Sequence, residues 1–145
     1  MKYAKLARLT YLIRLVKGEK VVGSITAFCQ SRGVANAKLF AIGSVENPIV
    51  AHYSVNTKKY SEHMLKGIFE VTGLLGNVAL FENKPLVHAH VSLSDEKMRG
   101  FGGHLVEAEV SATVEVIIEA FSTKFQKKFD KKIGLKLWDL SEEMV

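Results

Sequence analysis

The alternation along residues 105–121 sets the tightest limit on how this chain can fold. Val110, Ala112, Val114, Val116 and Ile118 are interleaved with Ser111, Thr113, Glu115 and Glu119. A period of two sends the two sets to opposite faces of a strand. The β-branched residues in the run are stiff at χ1 and suit a pleated surface better than a helix. One or two strands are therefore expected here, needing partner strands and a cover for the apolar face.

Partners are easily found. Residues 9–16 read as a strand ending at Lys17-Gly18. From Ala35 the period is again two, with Ala37, Leu39, Ala41 and Gly43 on one side and Lys38, Phe40 and Ile42 on the other. Asn47-Pro48 marks a turn, with residues 49–55 as the returning strand. Residues 68–75, 77–81 and 86–93 are expected as further strands, separated by Gly76 and by Glu82-Asn83-Lys84-Pro85, and residues 97–103 as a glycine-containing loop. The cover comes from residues 19–31, where Val21, Val22, Ile25, Phe28 and Cys29 follow helical spacing and Gly33 stands where a C-terminal cap belongs. Strand, helix and strand make one β-α-β crossover, followed mainly by a meander. The expected class is α+β: one main helix packed on a mixed, largely antiparallel β-sheet. No repeat or linker divides the chain, so residues 1–145 are read as a single domain.

Composition excludes several classes. With 48% hydrophobic residues a real core can form, so disorder is not expected. Cys29 is the only cysteine, which rules out an intrachain disulfide or a thiolate metal cluster and reads as a small buried hydrophobe. Arg8 and Arg14 interrupt the apolar residues near the start, and no apolar run is long enough to span a membrane. A cytoplasmic protein is expected. The net charge of +5 raises nucleic acid as a partner without establishing it.

The sharpest chemistry lies in Leu86-Val87-His88-Ala89-His90-Val91-Ser92-Leu93. On a strand, Val87, Ala89, Val91 and Leu93 take the core face, while His88 and His90 stand together on the other. Two imidazoles so placed can share a cation, and His104, following Gly102-Gly103, is the best third ligand. Three histidines leave an open position and suit zinc or another divalent ion. His52 and His63 lack such company and are expected at the surface or at a subunit contact. Glu70, within Gly67-Ile68-Phe69-Glu70-Val71, is a weak candidate for an acid, a base or a support to a metal-bound histidine.

These motifs, with Gly102-Gly103-His104-Leu105, Ala112-Thr113-Val114-Glu115-Val116 and the Gly134-Leu135-Lys136-Leu137-Trp138 ending, closely resemble the PPC (plants and prokaryotes conserved, DUF296) family in order and spacing. The resemblance implies an α+β domain assembling as a homotrimer. It also implies a metal, commonly zinc, on His88, His90 and His104, as in prokaryotic members, and it brings the family's DNA-binding label. In the plant proteins a separate AT-hook of Arg-Gly-Arg-Pro type makes the DNA contact, and no such core occurs here. DNA contact would instead fall to a basic stretch, Lys124, Lys127, Lys128, Lys131, Lys132 and Lys136, which otherwise reads as a solvated lysine face. Two functions result: a trimeric metal-binding module with DNA or a regulatory partner, or a zinc-dependent enzyme acting on a small substrate.

Overall fold

The structure is a computed structural model and describes residues 1–140. Among the described residues it contains one helix and nine strands: β1 (Lys2–Ala7), β2 (Thr10–Val16), α1 (Val21–Arg32), β3 (Ala37–Ser54), β4 (Lys59–Met64), β5 (Ile68–Phe81), β6 (Lys84–Ser94), β7 (Gly100–Ala120), β8 (Lys127–Asp130) and β9 (Leu135–Trp138). The expected mixed sheet is corrected, since every ladder between named strands is antiparallel. The strands on either side of α1 flank β7, each antiparallel to it, so β2-α1-β3 is a crossover split by a third strand.

β7 organises the sheet. Its later residues lie between β2 and β3, while Gly100 to His104 turn to pair with β6. Because β6 pairs with β5 and β5 with β3, the ladders run in a circuit β3–β5–β6–β7 and back to β3. Val45, Val71, Leu74, Val91, Leu93, Val110 and Val114 are buried in one core cluster with Val21, Ile25, Phe28 and Cys29 of α1. Burial holds the Cys29 thiol up at about 12, so it stays a protonated hydrophobe.

Several sequence expectations change. β3 is one long strand rather than two: Asn47-Pro48 sits where its register against β7 shifts, and the chain reverses only after Ser54. Proline has no N–H to give a ladder, and an irregularity tolerates that. The same applies at Gly76, which does not divide β5 but lets it lie against β6; a Cβ there would come within 2.6 Å of the His88 carbonyl oxygen. Ala112 leaves the core face because the β3–β7 register shifts between Gly43 and Val45, where the Ser44 and Ser111 hydroxyls meet at 2.6 Å. β1 and β4 were not expected; all their residues are exposed, so neither carries the alternation that marks a half-buried strand.

Helix α1 starts at residue 21 rather than 19, and its N-cap, Lys20, supplies no side-chain hydrogen bond. The Glu107 carboxylate on β7 does so instead, accepting from the N–H groups of Val22 at 2.8 Å and Gly23 at 3.0 Å. This satisfies two of the orphan donors of the first turn and places negative charge at the positive end of the helix. At the other end Gly33 adopts φ 66°, and the Val34 N–H returns to the Cys29 carbonyl at 2.9 Å. Glu107→Ala is expected to destabilise the fold by about 1–2 kcal/mol, by analogy with lost N-caps. Urea denaturation would measure it, with Glu109→Ala, whose exposed pair with Lys20 is worth little, as the near-neutral comparison.

Candidate metal centre

His88 and His90 project from the face of β6 opposite the buried Ala89, Val91 and Leu93. Across the ladder His90 is in register with His104 of β7, and His88 with Asn77 of β5. Residues 100–103 belong to this strand rather than to a loop. The glycines matter here as room for the neighbouring chain: a Cβ on Gly102 would stand 2.7 Å from the Val91 carbonyl oxygen. Small residues at that crossing let β7 lie close enough to bring its histidine beside the β6 pair.

The three rings form a triangle, with centroid separations of 5.3 Å for His88–His90, 5.2 Å for His88–His104 and 5.7 Å for His90–His104. One nitrogen from each ring can be chosen so that all three lie within 4.8 Å of one another. A tetrahedral zinc bound at about 2.0–2.1 Å would draw its ligands closer than this, so the rings would have to close in on binding. The donor set fits the ion in a second respect: His104 Nδ1 is buried without a hydrogen-bond partner among the described residues. A buried unpartnered nitrogen is costly unless something coordinates or bonds it.

The histidines open onto a cavity of about 950 Å³. Its walls include Tyr53, Tyr60 and Asn77, and the β8–β9 hairpin covers it with Lys127, Phe129 and Trp138. That hairpin is docked by the Tyr53 hydroxyl, which donates to the Ile133 carbonyl at 2.6 Å, and its turn is held by Asp130, which accepts from the N–H groups of Lys132 and Ile133. Tyr60 lies against His104, with ring centroids 5.0 Å apart. His52 is exposed and lines the cavity without joining the three, whereas His63 is exposed on β4 and outside it.

Two sequence expectations fail at this point. Glu70 is exposed opposite Ser94, four residues along β6 from His90. At about 3.3 Å per residue this separates them by roughly 13 Å, and Glu70 does not line the cavity. Lys127 is no part of a solvated basic face: it is 7% exposed and turned into the histidine cavity. Only Lys124, Lys128, Lys131, Lys132 and Lys136 remain exposed, and the Lys136 ammonium lies 4.2 Å from the centre of the Phe81 ring. The sequence reading also missed Asn77, whose Oδ1 is buried and unpartnered. An asparagine between two apolar strand runs was the available signal, since strands are depleted in it.

Burial, then the Lys127 charge and the other two histidines, push His88 down to about 4. His104 is lowered as well, by burial first and then by His90 and Lys127, with Glu62 acting in the opposite sense. Neutral imidazole is the form that binds a metal, so the folded chain holds this site ready near neutral pH. In the metal-free protein, unfolding lets His88 return towards its ordinary 6.5 and take up a proton that the fold refuses. The associated stability is complete above pH ~6.5 and is lost as the pH falls towards about 4. Urea midpoints of the metal-free protein at pH 7.5 and pH 5 should show this as a lower midpoint at pH 5, with the difference reduced in His88→Ala.

Residues 4–122 match the Plants and Prokaryotes Conserved (PCC) domain. No curated protein matches the chain, but solved structures do. A plant- and prokaryote-conserved (PPC) protein from Pyrococcus horikoshii is 37% identical, with 97% of this chain and 95% of that chain covered and a TM-score of 0.85. A metal-containing protein from Archaeoglobus fulgidus is 31% identical, with 93% and 99% covered and a TM-score of 0.83. A candidate DNA-binding protein from Bacteroides thetaiotaomicron shares the fold at a TM-score of 0.91 and 21% identity over 95% and 96% of the two chains. With its motifs, its single helix on an antiparallel sheet and the domain match in agreement, the chain belongs to the Plants and Prokaryotes Conserved domain family.

Proposed function

We propose that this chain is a cytoplasmic, homotrimeric, metal-binding domain in which His88, His90 and His104 hold zinc or a similar divalent ion with one position open to a small ligand. The observation that carries this reading is the histidine triangle facing a cavity of about 950 Å³ rather than a sealed contact. A metal used only to staple a fold takes four protein ligands and closes its sphere, whereas three leave a position for exchange. That the Archaeoglobus fulgidus relative is named as metal-containing is consistent with it.

Trimer formation is supported by the outer face of the sheet. Phe40, Ile42 and Leu75 are 45%, 57% and 71% exposed, and Phe40 and Leu75 are in register across β3 and β5. An apolar patch of this kind is characteristic of a surface covered by another chain. Leu75 is also in register with His90, so such a contact would border the metal centre.

An enzyme remains the second reading, since a bound metal can activate water or polarise a carbonyl or phosphoryl oxygen. The chain's own contribution would be a cavity that orients the ligand with Tyr53, Tyr60 and Asn77. With Glu70 remote, no carboxylate among the described residues lines the cavity to move a proton, which favours ligand binding over acid–base chemistry.

Native mass spectrometry of the zinc-loaded protein is expected to find three chains carrying three metal ions. His88→Ala, His90→Ala and His104→Ala should each lose stoichiometric metal, and full retention by all three variants would sink the site.

DNA binding is a separate proposal, motivated by exposed Lys128, Lys131 and Lys132 and by relatives named as candidate DNA-binding proteins. Phosphate contacts release counterions, so binding should weaken steeply with added salt. Neutralising these three lysines should flatten the salt slope in a fluorescence-anisotropy titration, while Lys127→Met should leave it unchanged. No binding at low salt would remove DNA from the account.

A further inference from the structure

The cavity holds a positive charge that the metal site does not explain. Lys127 is 7% exposed and lines the cavity beside the histidines. It forms no salt bridge or hydrogen bond among the described residues, where the ion pairs are made by other groups. Lysine is among the residues least often buried unless paired. Among the described residues the usual compensation is missing: those lining the cavity include Lys127 and Lys136 and no aspartate or glutamate. A divalent ion on the histidines would add two more positive charges to the same cavity.

Lys127 is also held firmly. Its backbone pairs with Trp138 in the β8–β9 ladder. The hairpin is anchored through Tyr53, and its turn fits closely, since a Cβ on Gly134 would come within 2.6 Å of the Tyr53 hydroxyl. Lys127 and its hairpin lie beyond residues 4–122, the part matching the family domain.

We propose that Lys127 is the anion-recognition residue of this cavity, and that the ligand is a small organic oxyanion, a carboxylate or phosphate ester, whose charged group pairs with the Lys127 ammonium while its body lies among Tyr53, Tyr60, Phe129 and Trp138. The inference rests on the open metal centre proposed above for one end of the ligand. Charge balance selects the ligand class: a half-open cavity with a metal, a lysine and no carboxylate among the described residues that line it favours a negative guest. The aromatic walls favour an organic body over a bare inorganic ion. An ammonium–oxyanion hydrogen bond is charge-assisted and gains strength out of water.

The test uses benzoate and phenyl phosphate as probes of the two oxyanions, with benzamide as the neutral counterpart of benzoate. Binding to the zinc-loaded protein is read by calorimetry and by fluorescence of Trp138, the only tryptophan. At least one oxyanion is expected to bind, benzamide to bind at least tenfold more weakly than benzoate if benzoate is the one that binds, and Lys127→Met to lose tenfold or more in affinity for the bound oxyanion. Lys128→Met should behave as wild type. Removing a buried charge that has no partner among the described residues should leave Lys127→Met folded, with an equal or higher melting temperature and undiminished zinc. Unchanged oxyanion affinity in Lys127→Met, or failure of both oxyanions to bind, would overturn the proposal. Loss of zinc from Lys127→Met would overturn it too, by making the amine a fourth metal ligand. A wild type that takes up no zinc yet binds the oxyanion, with binding abolished in Lys127→Met, would leave Lys127's role standing while the metal reading fell.

Discussion

The first residues of β7 bend away from β3's far end and pair with β6, and most of what is specific to this protein depends on that contact. It closes the circuit of ladders through β3, β5, β6 and β7 and puts His104 opposite His90. The contact depends on a bare backbone, because any side chain at Gly102 would collide with the Val91 carbonyl. Further along, β7 lends Glu107 to the start of α1. One strand therefore closes the sheet, completes the histidine triangle and seats the helix over the core.

The site combines two unusual electrostatic features. His88 and His104 are kept neutral by burial and by positive neighbours, the form in which an imidazole can take a metal. Its lysine is buried with no carboxylate partner among the described residues, and burial lowers its pKa. The buried ammonium opposes stability in an empty cavity and is relieved by an anion, while the neutral imidazoles hold lone pairs that suit a cation. Strain of this kind in a cleft is characteristic of binding sites.

Much of this was legible in the alternating strands. His88 and His90 had to share a face once Ala89, Val91 and Leu93 were assigned to the core, because side chains on a strand alternate whatever it pairs with. The helix and its Gly33 cap were readable for a similar local reason. β1 and β4 escaped because exposed strands owe their conformation to a neighbour's backbone rather than to an apolar stripe. Asn47-Pro48 and Gly76 looked like breaks, yet both lie within continuous strands. A residue that tolerates a turn also tolerates a register shift or a close approach, and only the partner strand decides which.

The sequence by itself determined the strand-rich class with one covering helix, the pairing of two histidines, and a sole cysteine fit for a core. It also carried enough ordered motifs to suggest the family. Tertiary structure decided that His104, named from the sequence only as a candidate, stands beside the pair, that Glu70 lies too far along the sheet to serve it, and that Lys127 belongs to the cavity instead of a basic surface. The physical reason is the range of the causes. Side-chain alternation and helix periodicity act between residues a few positions apart, whereas burial, charge pairing and metal geometry depend on which distant segments the ladders bring together.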